Sequence, residues 1–268
     1  MKMPLVSVII TTKNEEKNIA NCLKGIKKQT YKKIETIVVD NDSSDNTKKI
    51  AKKYTNKVYN KGPERSSQRN FGVKKSSGEY ILYLDADMIL TPKVIAECVE
   101  LAEKGIDGIY IPEKIIGKGF WIKTRNFERS FYDSTAIDCV RFVSKKAFNQ
   151  VNGFDTKMTG PEDWDFDKKI RQKRKVALIK APLLHNEGKF SIKKYLAKKG
   201  YYAKDFDKYI KKWGRTDSDI KKQFGVYYRL LGVFVEKGKW KKLLAHPLLA
   251  FGMYFLRVLV GIEFLFRK

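Results

Sequence analysis

GEYILYLDADMILTP, residues 78–92, decides how the rest of the chain is read. Tyr80, Ile81, Leu82, Tyr83 and Leu84 form an unbroken apolar and aromatic run, the pattern of a strand covered on both faces, as in a parallel sheet flanked by helices. The run ends on Asp85 and Asp87, with only Ala86 between them. Side chains in a strand alternate faces, so both carboxylates are expected to point the same way, about 7 Å apart at Cα. Thr91 and Pro92 then suit the cap and first position of a helix. Two like charges at the carboxyl end of a buried strand, where sheets of this class bind ligands, call for a cation.

The same grammar extends in both directions. "LVSVIITT" (5–12) and "IETIVVD" (34–40) read as buried strands, with Asn14 capping a helix that carries Ile19, Cys22, Leu23 and Ile26. "NDSSDNT" turns into a helix holding Ile50, Ala51 and Tyr54; a short strand surrounds Val58, and "KGPERSSQRNFG" reads as loop and helix start. "GIDGIYIP" is a further strand. Beyond residue 112 the spacing predicts a helix over 120–132, a strand "IDCVRFVS", a turn "VNGFD", a helix from "GPEDWDFDKKIRQ", a strand "KVALIKAPLL", and Lys/Tyr-rich helices to about residue 230. Alternating strands and helices predict an α/β fold with a mostly parallel central sheet and helices on both faces.

Composition narrows the classes. A chain of 268 residues that is 43% hydrophobic has enough apolar material for a core, which excludes global disorder. Fifty-six Lys and Arg against 30 Asp and Glu give +26, a balance that favours anionic partners, although the lysines are spread along the chain and suit solvated helix faces equally. Cys22, Cys98 and Cys139 have neither paired nor metal-type spacing, which fits a reducing, cytoplasmic compartment. The amino-terminal apolar stretch reads as a strand rather than a leader.

The carboxyl end differs in character. "KGKWKKLLAHPLLAFGMYFLRVLVGIEFLFRK" places Lys237, Lys239, Lys241 and Lys242 before an apolar stretch interrupted by His246, Pro247, Arg257 and Glu263. Charges at a bilayer centre cost about 2.5–3.5 kcal/mol each, so Arg257 and Glu263 weigh against a simple span. An interfacial or re-entrant segment, a buried core or oligomer helix, and a span all remain open. The division expected is a catalytic domain over 1–225 and a basic, apolar, membrane-interfacial appendage over 226–268.

D-x-D alone is a weak signal: it occurs six times, and the pairs at 163/165, 165/167, 205/207 and 217/219 suit helix or turn positions. Only Asp40/Asp42 and Asp85/Asp87 directly follow buried strands. Hard carboxylate oxygens beside a basic loop suit a Mg²⁺ or Mn²⁺ diphosphate complex, and Lys61, Arg65 and Arg69 supply the basic loop. Turn and helix-start roles would satisfy the same acids. Pro161, Glu162 and Asp163 likewise fit either a helix amino terminus or a base at a reacting centre.

In order along the chain, "VSVIITTKNEEKNI", "VVDNDSSDNT", "RSSQRNFG", "GEYILYLDAD", "VNGFD" and "GPEDWDF" resemble the motifs of family 2 glycosyltransferases with the GT-A fold, over residues 4–190. That resemblance implies an inverting sugar transfer from a nucleotide-diphosphate sugar, with a divalent cation (Mn²⁺ or Mg²⁺), to a hydroxyl or phosphate acceptor that is a glycan or is lipid-linked. It places Thr11, Lys13, Glu15, Asp40 and Asn41 at the nucleoside, Asp85 at ribose or ion, and Arg69 on the nucleotide-sugar loop. Asp87 and His185 fall to the metal, Asp163 to the general base, and Glu162 and Trp164 to the acceptor side. The chain departs from many members in having Asp40-Asn41 for Asp-Asp and Lys13 for an aromatic, and an Asn both donates and accepts where an ionised Asp only accepts. The basic, aromatic-rich carboxyl end adds an expected peripheral contact at the cytoplasmic face of a membrane.

Two other classes follow from the same residues. A nucleic-acid-binding protein would use the +26 charge, but that charge is not gathered into a recognised module, and no nucleic acid partner is expected. A nucleotidyltransferase also uses acids on an α/β sheet, but would want a glycine-rich first loop, and "TTKNEEKN" has none.

Overall fold

The computed structural model describes residues 3–266. The chain runs β1 (Val6–Thr12), α1 (Ile19–Lys27), β2 (Ile34–Asp40), α2 (Thr47–Ala51), β3 (Val58–Asn60), α3 (Arg65–Lys75), β4 (Tyr80–Asp85), β5 (Met88–Leu90), α4 (Val94–Glu103) and β6 (Gly108–Tyr110). There follow β7 (Glu113–Lys118), α5 (Phe120–Arg129), β8 (Phe142–Ser144), α6 (Lys145–Gln150), α7 (Glu162–Lys173), β9 (Val176–Leu178) and β10 (Leu183–Lys189). Helices complete it: α8 (Ile192–Tyr202), α9 (Phe206–Trp213), α10 (Ser218–Phe224), α11 (Val233–Val235), α12 (Trp240–Ala245) and α13 (Pro247–Phe266).

Two compact units share this chain. The first holds the residues up to Glu113 with Cys139–Lys157 and Glu162–Asn186; the second holds Lys114–Asp138, Met158–Pro161 and the residues from Glu187 onward. This division does not fall at residue 225, where the carboxyl-terminal appendage was expected to begin. The helices after β10 belong with α5 (Phe120–Arg129), which lies far earlier in the sequence.

A seven-stranded sheet ordered β3-β2-β1-β4-β8-β6-β9 forms the first unit, parallel throughout except for β8, which runs antiparallel to both β4 and β6. The α/β, mostly parallel sheet expected from the sequence is the one observed. Alternation divides its core in two. Val8, Ile10, Val38, Leu82 and Leu84 face Ile19, Cys22 and Leu23 of α1 and Val94, Ile95 and Cys98 of α4. Ile9, Ile37, Val39, Ile81 and Tyr83 face Val73 of α3, Phe148 of α6, and Phe166 and Ile170 of α7. The cysteines are free and buried.

Close approach of α3 to the sheet depends on Gly72, because a Cβ there would press into Ile9 Cγ2 and lie 3.2 Å from Val39 Cγ2. Gly72→Ala is therefore expected to destabilise by about 1–3 kcal/mol through overpacking, read as a lower urea midpoint at unchanged slope.

Several local expectations are corrected. Asn14 does not cap α1: it has φ +54°, and its Oδ1 accepts from Ser44 N at 2.9 Å, while the helix begins after Asn18. Thr91 and Pro92 lie before the cap of α4, which is Lys93, and Thr91 Oγ1 instead donates to the Pro182 carbonyl at 2.6 Å. "IDCVRFVS" is strand only over Phe142–Ser144, since the N–H of Val140 is taken by Asp167 Oδ1 at 3.1 Å. "KVALIKAPLL" splits into β9 and β10, because Glu97 Oε2 accepts from both Lys180 N (2.8 Å) and Ala181 N (2.9 Å) between them. β10 leaves the main sheet for a second one, ordered β5-β10-β7.

In the second unit, α13 packs on α5 and α8 around Phe127, Phe131, Val233, Phe234 and Met253. Pro247–Phe264 is long and apolar enough to cross a membrane by length and composition. One face of the helix is nonetheless internal: Met253 and Leu256 are fully buried, and Arg257 Nη1 donates to Glu128 Oε1 (2.7 Å) and Tyr132 Oη (2.6 Å). The opposite face exposes Leu248, Phe251, Phe255, Val258 and Ile262 at helical spacing.

Candidate active site

Strand β4 ends at Asp85, so strand alternation does not carry through to Asp87, and the two aspartates acquire separate partners. Thr11, beside Asp85 in register, donates to its Oδ1 at 2.9 Å. Arg65 and Arg69, one turn apart on α3, reach the same strand end. Arg69 is fully buried with its guanidinium over the Tyr83 and Phe154 rings, 4.7 and 4.9 Å from their centroids. From there Nη2 donates to Asp85 Oδ1 at 3.2 Å and Nη1 to Asp163 Oδ1 at 2.5 Å. Arg65 completes the cluster, 3.6 Å from Asp85 Oδ2 and 3.0 Å from Glu162 Oε1.

Two arginines thus serve three carboxylates. Burial works against ionising Asp85, but the Arg69, Arg65 and Arg141 guanidiniums outweigh it and hold the carboxyl well below its ordinary range. Glu162 goes the other way: burial and then the neighbouring Asp163 push it up, against Arg65 and Arg69. Asp163 stands in the first turn of α7, a favourable place for negative charge. One of its oxygens is held by Arg69; the other accepts no hydrogen bond among the described residues, and the side chain is 23% exposed. Trp164 lies half-buried beside it.

A second cluster begins at Asp87. Pairing of β10 with β5 sets His185 opposite Met88, and Asn186 N donates to the Asp87 carbonyl at 2.9 Å. The imidazole sits between two carboxylates, Nε2 3.1 Å from Asp87 Oδ2 and Nδ1 2.7 Å from Glu113 Oε1. Burial lowers its basicity, but those carboxylates more than compensate and push it up to about 10. Glu113 is itself braced by Arg141 at 3.3 Å.

A divalent cation is what the family resemblance implies here, and the donor set fits one. Asp87 Oδ1 is buried with no hydrogen-bond partner among the described residues, a hard acceptor left for a cation. His185 Nε2 lies beside it, with Glu113 orienting the ring from behind, the usual outer support of a metal-binding histidine. Among the described residues no three His, Cys, Asp or Glu side chains are placed to hold a metal by themselves. One or two protein ligands completed by substrate phosphates is the normal arrangement for Mg²⁺.

Other expected residues sit elsewhere or act differently. Register pairs Asp40 with Thr12 but Asp85 with Thr11, so the two strand-end aspartates lie on opposite faces of the sheet and do not converge. Asp40 is fully buried, with Oδ1 accepting from Ser43 N (2.7 Å) and Oδ2 from Ser43 Oγ (2.6 Å); it builds the turn after β2. Asn41 donates to the Pro63 carbonyl, Lys13 is exposed, and Glu15 Oε2 accepts from Asn18 at 2.7 Å. Arg69 gives Nη1 to Asp163 and Nη2 to Asp85, while its Nε is buried with no hydrogen-bond partner among the described residues. Glu113 and Arg141 had no signal in the sequence, being 28 residues apart and isolated from any motif.

Comparison with known proteins agrees with this architecture. Residues 7–154, more than half of the chain, match the model of the family described as Glycosyl transferase family 2. The chain is 40% identical over 94 residues to glycosyltransferase AglE of Haloferax volcanii, covering 32% of this chain and 31% of that protein. It is 30% identical over 118 residues to the GalNAc(5)-diNAcBac-PP-undecaprenol beta-1,3-glucosyltransferase of Campylobacter jejuni, covering 40% and 38% respectively. The matches thus span only 31% and 38% of these relatives' own length. The mannosyltransferase PcManGT from Pyrobaculum calidifontis, solved with GDP-Man and Mn²⁺, shares the fold with a TM-score of 0.64 at 19% identity, over 98% of this chain and 84% of that one. By the family match, and with the sheet and motifs that accompany it, this chain belongs to glycosyl transferase family 2.

Proposed function

We propose that the protein transfers a sugar, with inversion, from a nucleoside-diphosphate sugar to an acceptor hydroxyl or phosphate, with Asp163 as the general base. The observation that carries this reading is Arg69, which ties the strand-end Asp85 to Asp163 and leaves one Asp163 oxygen open. That oxygen takes the acceptor proton as the acceptor oxygen bonds to the anomeric carbon and the bond from that carbon to the diphosphate breaks. Arg69 fixes the carboxylate's orientation through a charge-assisted hydrogen bond, and Glu162 and Trp164 flank the acceptor side. Thr11, Asp85 and Asn41 meet the nucleoside and ribose. Asp87 and His185 hold the divalent cation, which when bound offsets charge on the departing diphosphate.

A lipid-linked acceptor at the cytoplasmic face of a membrane is part of the proposal. It is supported by the exposed apolar stripe of α13 and by the undecaprenol-linked substrate in the name of the Campylobacter relative.

The test is a panel of nucleotide sugars with Mn²⁺ or Mg²⁺, read by melting temperature and by turnover. At least one is expected to stabilise the protein in a metal-dependent way. Asp87→Asn should abolish that dependence, and Glu113→Gln should weaken metal affinity by about 10–100-fold. A folded protein that neither binds nor turns over any nucleotide sugar overturns the reading.

A further inference from the structure

The second unit contains a cluster of charge that the transfer chemistry above does not use. Glu128, on α5, accepts from Arg125 Nη1 at 2.5 Å and from Arg257 Nη1 at 2.7 Å, and Arg125 also meets Glu187 at 3.1 Å. Lys199 and Arg229 belong to the same cluster, and neither has a carboxylate within ion-pair distance among the described residues. Arg229 Nη1 is buried with no hydrogen-bond partner among the described residues. The Arg125 guanidinium (4.9 Å) and the Lys199 ammonium (5.5 Å) both stand over the Tyr195 ring. Four basic groups against two carboxylates leave an excess of positive charge in a largely desolvated place, which is costly unless an anion completes it. Burial, then Arg125 and Arg229, push the Lys199 ammonium down to about 7, against the pull of Glu128.

Apolar surface leads directly away from this cluster. Tyr195 touches Phe190 (5.6 Å between ring centroids), Phe190 stacks on Trp121 (6.0 Å), and Trp121 stacks on Phe255 (5.7 Å). Phe255 is 42% exposed and belongs to the outward stripe of α13. A buried positive charge joined to an open aromatic strip matches an amphiphile with an anionic head and a hydrocarbon tail.

We infer that Arg125, Lys199 and Arg229 bind the phosphate of an isoprenoid-type lipid phosphate or diphosphate, with its chain running over Trp121 and Phe255. This deepens the proposed function, since it names the lipid class that carries the acceptor hydroxyl: the bound phosphate anchors the acceptor and is not the attacking group, and the inference rests on that reading for its place in the reaction. Guanidinium and ammonium groups supply charge-assisted hydrogen bonds to the phosphate oxygens, and the ring surface shields the first carbons of the chain from water.

The full chain is tested with farnesyl phosphate, farnesol, inorganic phosphate and phosphatidylglycerol vesicles, by melting temperature and direct binding. Farnesyl phosphate is expected to stabilise the protein well beyond farnesol or inorganic phosphate. Lys199→Gln and Arg229→Gln should each weaken it by about tenfold or more. Because each removes an unpaired charge, neither should lower the melting temperature of the ligand-free protein, which separates lost binding from lost folding. Equal responses to farnesol and farnesyl phosphate, or affinity unchanged in both variants, overturn the inference. So does binding to phosphatidylglycerol vesicles alone, which would mean a generic anionic surface. Metal-dependent nucleotide-sugar binding is measured on the same samples; if it persists while farnesyl phosphate fails, this inference falls and the proposed transfer stands.

Discussion

Arg69→Met is expected to lower stability by about 3–5 kcal/mol and to abolish transfer, the largest combined loss from any single change in the first unit. The side chain is fully buried, bridges two carboxylates and lies against two aromatic rings. A methionine would fill much of the space but leave Asp85 and Asp163 without their shared counter-charge. Unfolding in urea checks the first part of the expectation. Arg69→Lys separates folding from function: it keeps a positive charge but has no planar fork to reach both acids at once. The lysine variant should therefore recover much of the stability while kcat stays depressed and the donor KM changes little. Full recovery of kcat in that variant would mean that charge alone, and not orientation of Asp163, is what Arg69 contributes.

Asp163→Asn is expected to reduce kcat by about 10²–10⁴-fold, the range for loss of a general base, with donor binding retained. The amide can still accept from Arg69 through its oxygen, so the geometry at the start of α7 should survive. What disappears is the basic oxygen that no described residue occupies. Rapid mixing with donor and metal reads binding, and steady-state transfer reads chemistry. A variant with near-normal turnover would move the base elsewhere, with Glu162, the adjacent carboxylate in the first turn of α7, first in line.

Much of this was legible before any coordinates, for identifiable reasons. β1, β2 and β4 are continuous apolar runs, and their order with the intervening helices leaves few topologies. Asp85, Asp87 and Asp163 were visible because strand ends and helix starts are local features. The one-residue offset between Asp40 and Asp85 was not, since register depends on how two strands slide past each other. Asn14 was misread because its side chain is engaged by a loop thirty residues away rather than by its own helix. Glu113 and Arg141 escaped for the same reason: their roles exist only through partners distant in sequence.

The internal face of α13 has a practical consequence for anyone handling this protein. Its hydropathy invites removal as a detachable anchor, yet Arg257 within it neutralises Glu128, and Met253 and Leu256 help fill the second unit. Trimming the polypeptide at residue 246 to gain solubility would remove one of the two arginines that hold the buried Glu128 and open a hydrophobic seam. A gentler remedy is to recolour the outer surface, replacing Leu248, Phe251 and Val258 with polar residues while keeping the inward side chains intact.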